Sequence, residues 1–267
     1  MKSLLILLLV PLASFAQEEA WDVYIAQYEK GPGSTVLNMS LKQEAPIKTL
    51  PFLLKTGVKF NDCSTDGLPE QGEFAWLNLI SEAAGLVVRR HTETALAGTF
   101  TYQCERNDYY YVSDTAGIRD ALMKMYASRF PKYTPLVTIK KDENWEAYLT
   151  FLYPNEETQE FMGNSKVLME LQKAGDKLEK ERQVDHWIYF ATESDRKCFI
   201  AYCTANKFKI ESQETLKDSK PMPFKLQISR PDKIDLPSIN KLTLELRRQA
   251  AKCKGDYDGW ETFVIKD

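Results

Sequence analysis

Histidine is almost missing from this chain: in 267 residues there are only His91 and His186. Imidazole is the usual acid–base group near neutral pH and a common metal ligand. Histidine-rich catalytic or zinc arrangements therefore have little to draw on. No CxxC pair, HExxH helix or GxSxG elbow occurs. Clustered glycine is confined to Gly31-Pro32-Gly33, which reads as a hairpin break rather than a phosphate cradle between strand and helix. Asn61 to Asp66 carries oxygen ligands, but such a run reads first as a polar turn. A basic excess is absent as well. The net charge is −3, with no lysine or arginine stripe, so the electrostatic footprint of a nucleic-acid binder is lacking. Beyond the first residues no apolar run approaches the roughly 20 needed to span a bilayer.

What is present begins with export. Lys2 supplies a positive start, Leu4 to Val10 form a short apolar run, and Ser14-Phe15-Ala16 places small residues where a signal peptidase reads. Residues 1–16 are expected to be a signal peptide cleaved after Ala16, with periplasmic or secreted destination. Hydrophobic residues at 43% and aromatics at 12% are ample for a packed core. Five cysteines leave at least one unpaired in a monomer. Cys63 with Cys104 is the pairing to test first. Cys198 and Cys203, five apart in an expected helix, read as buried apolar side chains.

The text divides near Pro154 into residues 17–154 and 155–267. In the first half, Trp21–Tyr28 and Thr35–Leu41 read as a hairpin, and Leu50–Phe60 as a strand. Glu73–Ala84 has helical spacing, Leu86–Arg90, Ala97–Cys104 and Tyr109–Val112 read as strands, and Thr115–Phe130 as a helix. Leu136–Ile139 and Trp145–Tyr153 read as strands. That is an α+β domain with helices on one face of an antiparallel sheet, for which a ferredoxin-like arrangement is one option.

In the second half a leading helix, Glu156–Ala174, ends at Gly175, and Asp176–Arg182 reads as a charged linker. Then come a strand (Val184–Phe190), a helix (Glu193–Asn206) and strands at Phe208–Glu214 and Phe224–Ser229. A helix (Ser238–Lys252) and a strand (Tyr257–Ile265) complete the order βαββαβ, the ferredoxin-like split βαβ.

Within that half, Lys173-Ala174-Gly175-Asp176, Val184-Asp185-His186-Trp187-Ile188-Tyr189-Phe190, Leu226-Gln227-Ile228-Ser229-Arg230 and Tyr257-Asp258-Gly259-Trp260-Glu261 resemble the family of regulators of ribonuclease E activity, type B. Tyr133-Thr134-Pro135 with Trp145, Tyr148 and Pro154 resembles a family known as a domain of unknown function, often fused to that regulator domain. The resemblance implies a ferredoxin-like, non-enzymatic binding module acting on a cytoplasmic ribonuclease complex. An exported chain would not meet that complex, and this one ends at Ile265-Lys266-Asp267 without the regulator's long acidic tail.

Alternation along the first strand of this half puts His186 with Val184, Ile188 and Phe190 under the helices, as a hydrogen-bonded histidine at the edge of the core. A His186–Asp258 dyad is disfavoured, because antiparallel pairing would set His186 near Val264 or Ile265. His91 reads as solvated, at a strand end or loop. Asp185, Trp187 and Tyr189 point to the other face, and Trp260 is expected to join them. This candidate binding face would serve a partner protein of unknown identity or pack against the first half. No residue is assigned a catalytic, cofactor or metal role. The leading expectation is an exported, non-enzymatic protein-binding module. The alternatives are a small envelope hydrolase using carboxylates in an interdomain cleft, and a structural envelope protein.

Overall fold

The computed structural model describes residues 19–217 and 221–266, so residues 1–16, expected to be a signal peptide, lie outside the described residues. The chain is divided into two compact units that meet in sequence at Tyr153 and Pro154.

The first unit opens with the hairpin β1 (Trp21–Tyr28) and β2 (Gly31–Asn38). Its turn is Glu29–Lys30, so the Gly31-Pro32-Gly33 run belongs to β2 and is not the break. Strand β3 (Phe52–Lys59), helix α1 (Glu73–His91), strands β4 (Thr94–Tyr102) and β5 (Glu105–Val112), helix α2 (Ile118–Arg129) and strand β6 (Thr134–Lys141) follow. Their spatial order is β1-β2-β4-β5-β3-β6, with every neighbouring pair antiparallel. Removing the hairpin leaves the βαββαβ order of a ferredoxin-like unit.

Leu86–Arg90 is helix, not strand. Val87 and Val88 look strand-like, but Leu77, Ile80, Ala84 and Val88 continue one buried stripe at helical spacing. His91 therefore ends α1, its Nδ1 lying 2.8 Å from the Val87 carbonyl. Trp145–Tyr153 is not a strand either. Asp142 accepts from the backbone N–H groups of Glu146 and Ala147, and Trp145 adopts a left-handed φ of 55°. The chain then winds into a π-helical turn, Ala147–Leu152. This segment covers the sheet face opposite the helices. Trp145 stacks on Tyr111 at 3.8 Å between ring centres and 5° between planes, and Tyr111 donates to Asp142 Oδ2 at 2.7 Å. Tyr148 reaches across to the Asn38 carbonyl at 2.7 Å. Aromatic text that resembles alternation is here a lid pinned by one carboxylate.

The second unit has helix α3 (Glu156–Lys173), strand β7 (Arg182–Phe190), helix α4 (Glu193–Ala205), strands β8 (Lys209–Thr215) and β9 (Phe224–Asp232), helix α5 (Leu236–Lys252) and strand β10 (Gly255–Glu261). The sheet order β10-β7-β9-β8 is again ferredoxin-like, with α3 added ahead of it. Each helix starts on a side-chain cap: Asn155 to the Thr158 N–H, Thr192 to Asp195, Asp235 to Ser238. Gly175, at φ 95°, follows α3 in the left-handed conformation that ends helices. Val184, Ile188, Phe190, Phe199, Leu226, Ile228, Leu246 and Ala250 form the core between sheet and helices.

Cys63 and Cys104 are bridged, tying the loop after β3 to the β4–β5 turn. Cys198 is not a free thiol. It joins Cys253 at the end of α5, and Cys203, turned into the core, is the free cysteine. Spacing within α4 hid this pairing because the partner lies 55 residues away. Thiol titration of the unfolded, unreduced protein should therefore find one reactive group, rising to five after reduction. Reduction should also cost about 3–4 kcal/mol per bridge in denaturant unfolding. Three or more thiols before reduction would refute the pairing.

Candidate binding face of the second unit

Directly paired residues of an antiparallel ladder share a face. In β7, Val184, His186, Ile188 and Phe190 are fully buried beneath the helices, while Asp185, Trp187 and Tyr189 lie on the opposite face, half-buried. Ladder partners extend that face: Glu261, Ser229 and Lys209 in line with Asp185, Gln227 and Ser212 with Trp187, and Asp256, Lys225 and Glu214 with Tyr189. Two aromatics thus sit in a field where carboxylates outnumber lysines. Asp185 is fixed by the amides of Gln183 and Gln227, at 3.0 and 3.2 Å, and Glu211 accepts from Ser229 at 2.6 Å.

Trp260 does not belong to this face. The β10–β7 register shifts between Tyr257 and Gly259, leaving Asp258 as an extra, exposed residue. Gly259 takes φ 137°, a conformation open to glycine. The bulge reverses the alternation, so Tyr257, opposite Ile188, and Trp260, opposite His186, both turn toward the helices. His186 therefore faces Trp260 and not Val264 or Ile265. Simple period-two reading missed the change because a bulge leaves no trace in hydrophobicity. The signal was Asp-Gly between two aromatics.

The bulge places two polar tips inside. The Tyr257 hydroxyl lies 2.9 Å from His186 Nδ1, and Trp260 Nε1 donates to Asn164 Oδ1 of α3 at 2.7 Å. Asn164 in turn donates to Asn240 and Thr243 of α5, at 2.6 and 2.9 Å. Beside it Arg247 donates to Glu160 at 2.8 Å. Burial, reinforced by the positive charge of Arg230, pushes the His186 imidazole down to about 3. It is neutral at physiological pH, and its polar neighbour is a phenol rather than a carboxylate. Among the described residues no group of three or more His, Cys, Asp or Glu side chains could hold a metal ion.

A groove of about 750 Å³ follows the β10 edge, lined by Glu156, Glu160, Arg247, Asp258 and Glu261, and meets the sheet face at Trp187. Asn164 and Trp260 also line it, so the polar network described above borders the groove as well as the core.

Asp176 and Arg182 are a buried pair rather than a charged linker, each side chain 1% exposed. The guanidinium grips both carboxylate oxygens and also donates to the Phe263 carbonyl at 3.2 Å, while the Ile265 N–H donates to Asp176 at 2.7 Å. The Arg182 hydrogen bonds hold the Asp176 carboxyl at about 2. This pair stitches the end of α3, the start of β7 and the stretch after β10 together. An acid one residue past a helix-ending glycine, with an arginine opening the next strand, was the available clue.

A family model described as Family of unknown function (DUF695) matches residues 19–153, half of the chain. The chain belongs to that family. A second model, Regulator of ribonuclease activity B, matches residues 162–262, from α3 through the bulged strand. The two matches fall on the two units and carry the resemblance drawn from the motifs. No curated protein matches the chain. A crystal structure described as an unknown protein from Galdieria sulphuraria is similar at 10% identity and a TM-score of 0.23, covering 80% of this chain and 98% of that one.

Two predictions follow the buried groups of this unit. His186 titrates low in the folded state and near 6.5 when unfolded. Its contribution to stability is complete above that value and is lost as pH falls toward 3. Between pH 7 and about 5 the unfolding free energy of the unit should drop by about 2 kcal/mol. The drop should largely vanish in His186→Phe, and an equal drop in the variant would refute the assignment. Asp176→Asn should destabilise the unit by about 3 kcal/mol or more, since it leaves a buried guanidinium without its counter-charge. It should also speed hydrogen exchange at the Ile265 amide, and an unaltered Ile265 rate would refute the stitching role.

Proposed function

We propose that the chain is an exported, non-catalytic module that acts by binding a protein partner through the β7–β9 face of its second unit. The supporting observation is the Trp187–Tyr189 pair. Two large aromatics stand half-exposed on a sheet face, framed by hydrogen-bonded polar residues, in the region that matches a regulator family. Aromatic residues in such settings dominate the binding energy of protein interfaces. The carboxylates Asp185, Glu211, Glu214, Asp256 and Glu261 around them favour a partner segment that is basic or rich in hydrogen-bond donors. The match to Regulator of ribonuclease activity B favours protein binding as the mode of action and leaves the partner's identity open.

Periplasmic or secreted location rests on the signal-like residues 1–16, and the disulfides Cys63–Cys104 and Cys198–Cys253 accord with it. Such bridges persist in oxidising compartments and are rare in the cytosol. In the envelope a cytoplasmic ribonuclease complex is out of reach, so the partner would be another exported protein. No helix among the described residues is long and apolar enough to cross a membrane.

Fractionation of the producing cell should find a chain beginning at Gln17 in the periplasm or medium. Unprocessed chain in the cytosol would remove the export half of the proposal. Affinity recovery from envelope extract should compare the full chain with a Trp187→Ala/Tyr189→Ala variant shown by circular dichroism to be folded. A partner retained by the former should be lost, at least roughly tenfold, with the latter. Identical recovery by both would remove the face from consideration.

A further inference from the structure

We propose that the first unit carries a small-molecule site at the start of α1, shaped for a cationic nitrogen on a small aromatic or apolar body. Here the loop leaving β3, the first turn of α1 and the loop between α2 and β6 enclose a cavity of about 510 Å³. That size lies within the range of small-ligand pockets.

Its polarity is graded. Glu73, the first residue of α1, lines the cavity and is only 7% exposed. Its carboxylate shares a side-chain hydrogen bond with Tyr133, yet Oε1 is buried without any hydrogen-bond partner. An unpaired buried carboxylate oxygen is costly, and a charged donor is its strongest complement. Tyr133 forms one wall. Trp76, one helical turn beyond Glu73, forms another and is 54% exposed although large and apolar. An indole standing in water at a cavity mouth beside a buried carboxylate presents a face to a cation and an apolar surface to the body that bears it. The exposed rim charges, Asp62 against Arg129 at the end of α2 and Lys132, sum to one positive charge, which the Glu73 carboxylate balances.

A helix start alone would favour an anion. Here the first residue of the helix, Glu73, brings its own carboxylate into the lining with one oxygen left unbonded, so the remaining demand is for a donor. A primary ammonium meets it: one N–H to the Glu73 carboxylate, with the attached ring or chain against Trp76 and Tyr133. Nothing in this inference depends on what the second unit binds.

Calorimetric titration of the full chain with phenethylamine, 2-phenylethanol and phenylacetate tests it, tryptophan fluorescence serving as a second readout. Phenethylamine should bind saturably, with a Kd of roughly millimolar or tighter. The alcohol, of similar size and neutral, should bind roughly tenfold more weakly, and phenylacetate should not bind. Glu73→Gln should lose roughly tenfold or more in amine affinity, and the surface change Trp76→Ala roughly several-fold. The proposal is overturned if the folded wild-type chain gives no saturable signal with the amine, if phenylacetate binds as well as the amine, or if the variants bind like wild type. Should Glu73→Gln fail to fold, Trp76→Ala decides alone.

Discussion

One extra residue in the last strand sets the character of the second unit. Without the bulge at Asp258, period-two alternation would send either Tyr257 or Trp260 to the sheet face turned away from the helices. With it, both enter the core, and each brings a polar tip that must be satisfied there. Tyr257 meets His186 and Trp260 meets Asn164. Helices α3 and α5 are thereby joined to β10 by hydrogen bonds as well as by apolar packing. The bulge also shortens the regular part of an edge strand and leaves acidic Asp258 exposed on it, both of which discourage unwanted strand pairing.

The Asp176–Arg182 pair completes what the bulge begins. A buried ion pair does not stabilise simply by existing, because removing two charges from water is expensive. Here the remaining hydrogen-bonding capacity is used: the carboxylate accepts from the backbone of Leu178 and Ile265, and the guanidinium donates to the carbonyls of Lys180 and Phe263. Each of these bonds belongs to a stretch with no ladder or helix partner of its own. The ion pair thus does for two irregular segments what regular secondary structure does for the rest of the unit.

Sequence alone read the second unit well and the first unit in part, for physical reasons that can be named. Helices α3 and α5 have caps, stops and single apolar stripes that agree with one another, and β7 alternates cleanly, so its orientation could be fixed without coordinates. The failures sit where a local rule is overridden by a single distant or irregular partner. Val87 and Val88 look like strand but continue the stripe of α1. Trp145 to Tyr153 alternates but is wound by the Asp142 carboxylate. Cys198 is paired from the far end of another helix. At the candidate face, Asp185, Trp187 and Tyr189 were legible because a strand has period two. Trp260 was misplaced because the bulge broke that period. Glu73 carried no signal, since nothing in a linear reading marks one carboxylate oxygen at a helix start as left without a hydrogen bond.

The two units share one topology and treat the second face of the sheet in opposite ways. In the first unit the face carries Tyr109 and Tyr111, and the chain itself covers it: Trp145 stacks on Tyr111, and Phe151 lies against Tyr109 and Phe100. That covering requires a left-handed tryptophan and a dedicated carboxylate, so it is structure specified at a cost. In the second unit Trp187 and Tyr189 occupy the comparable face, and among the described residues no segment of that unit plays the part of 142–153. The same fold thus accommodates a sheet with a built-in lid and one without, and in the second the aromatics stay half-buried rather than covered. The proposed protein recognition by the second unit rests on that asymmetry, and the proposed small-molecule site of the first unit uses a different part of the fold, the ends of strands where α1 begins.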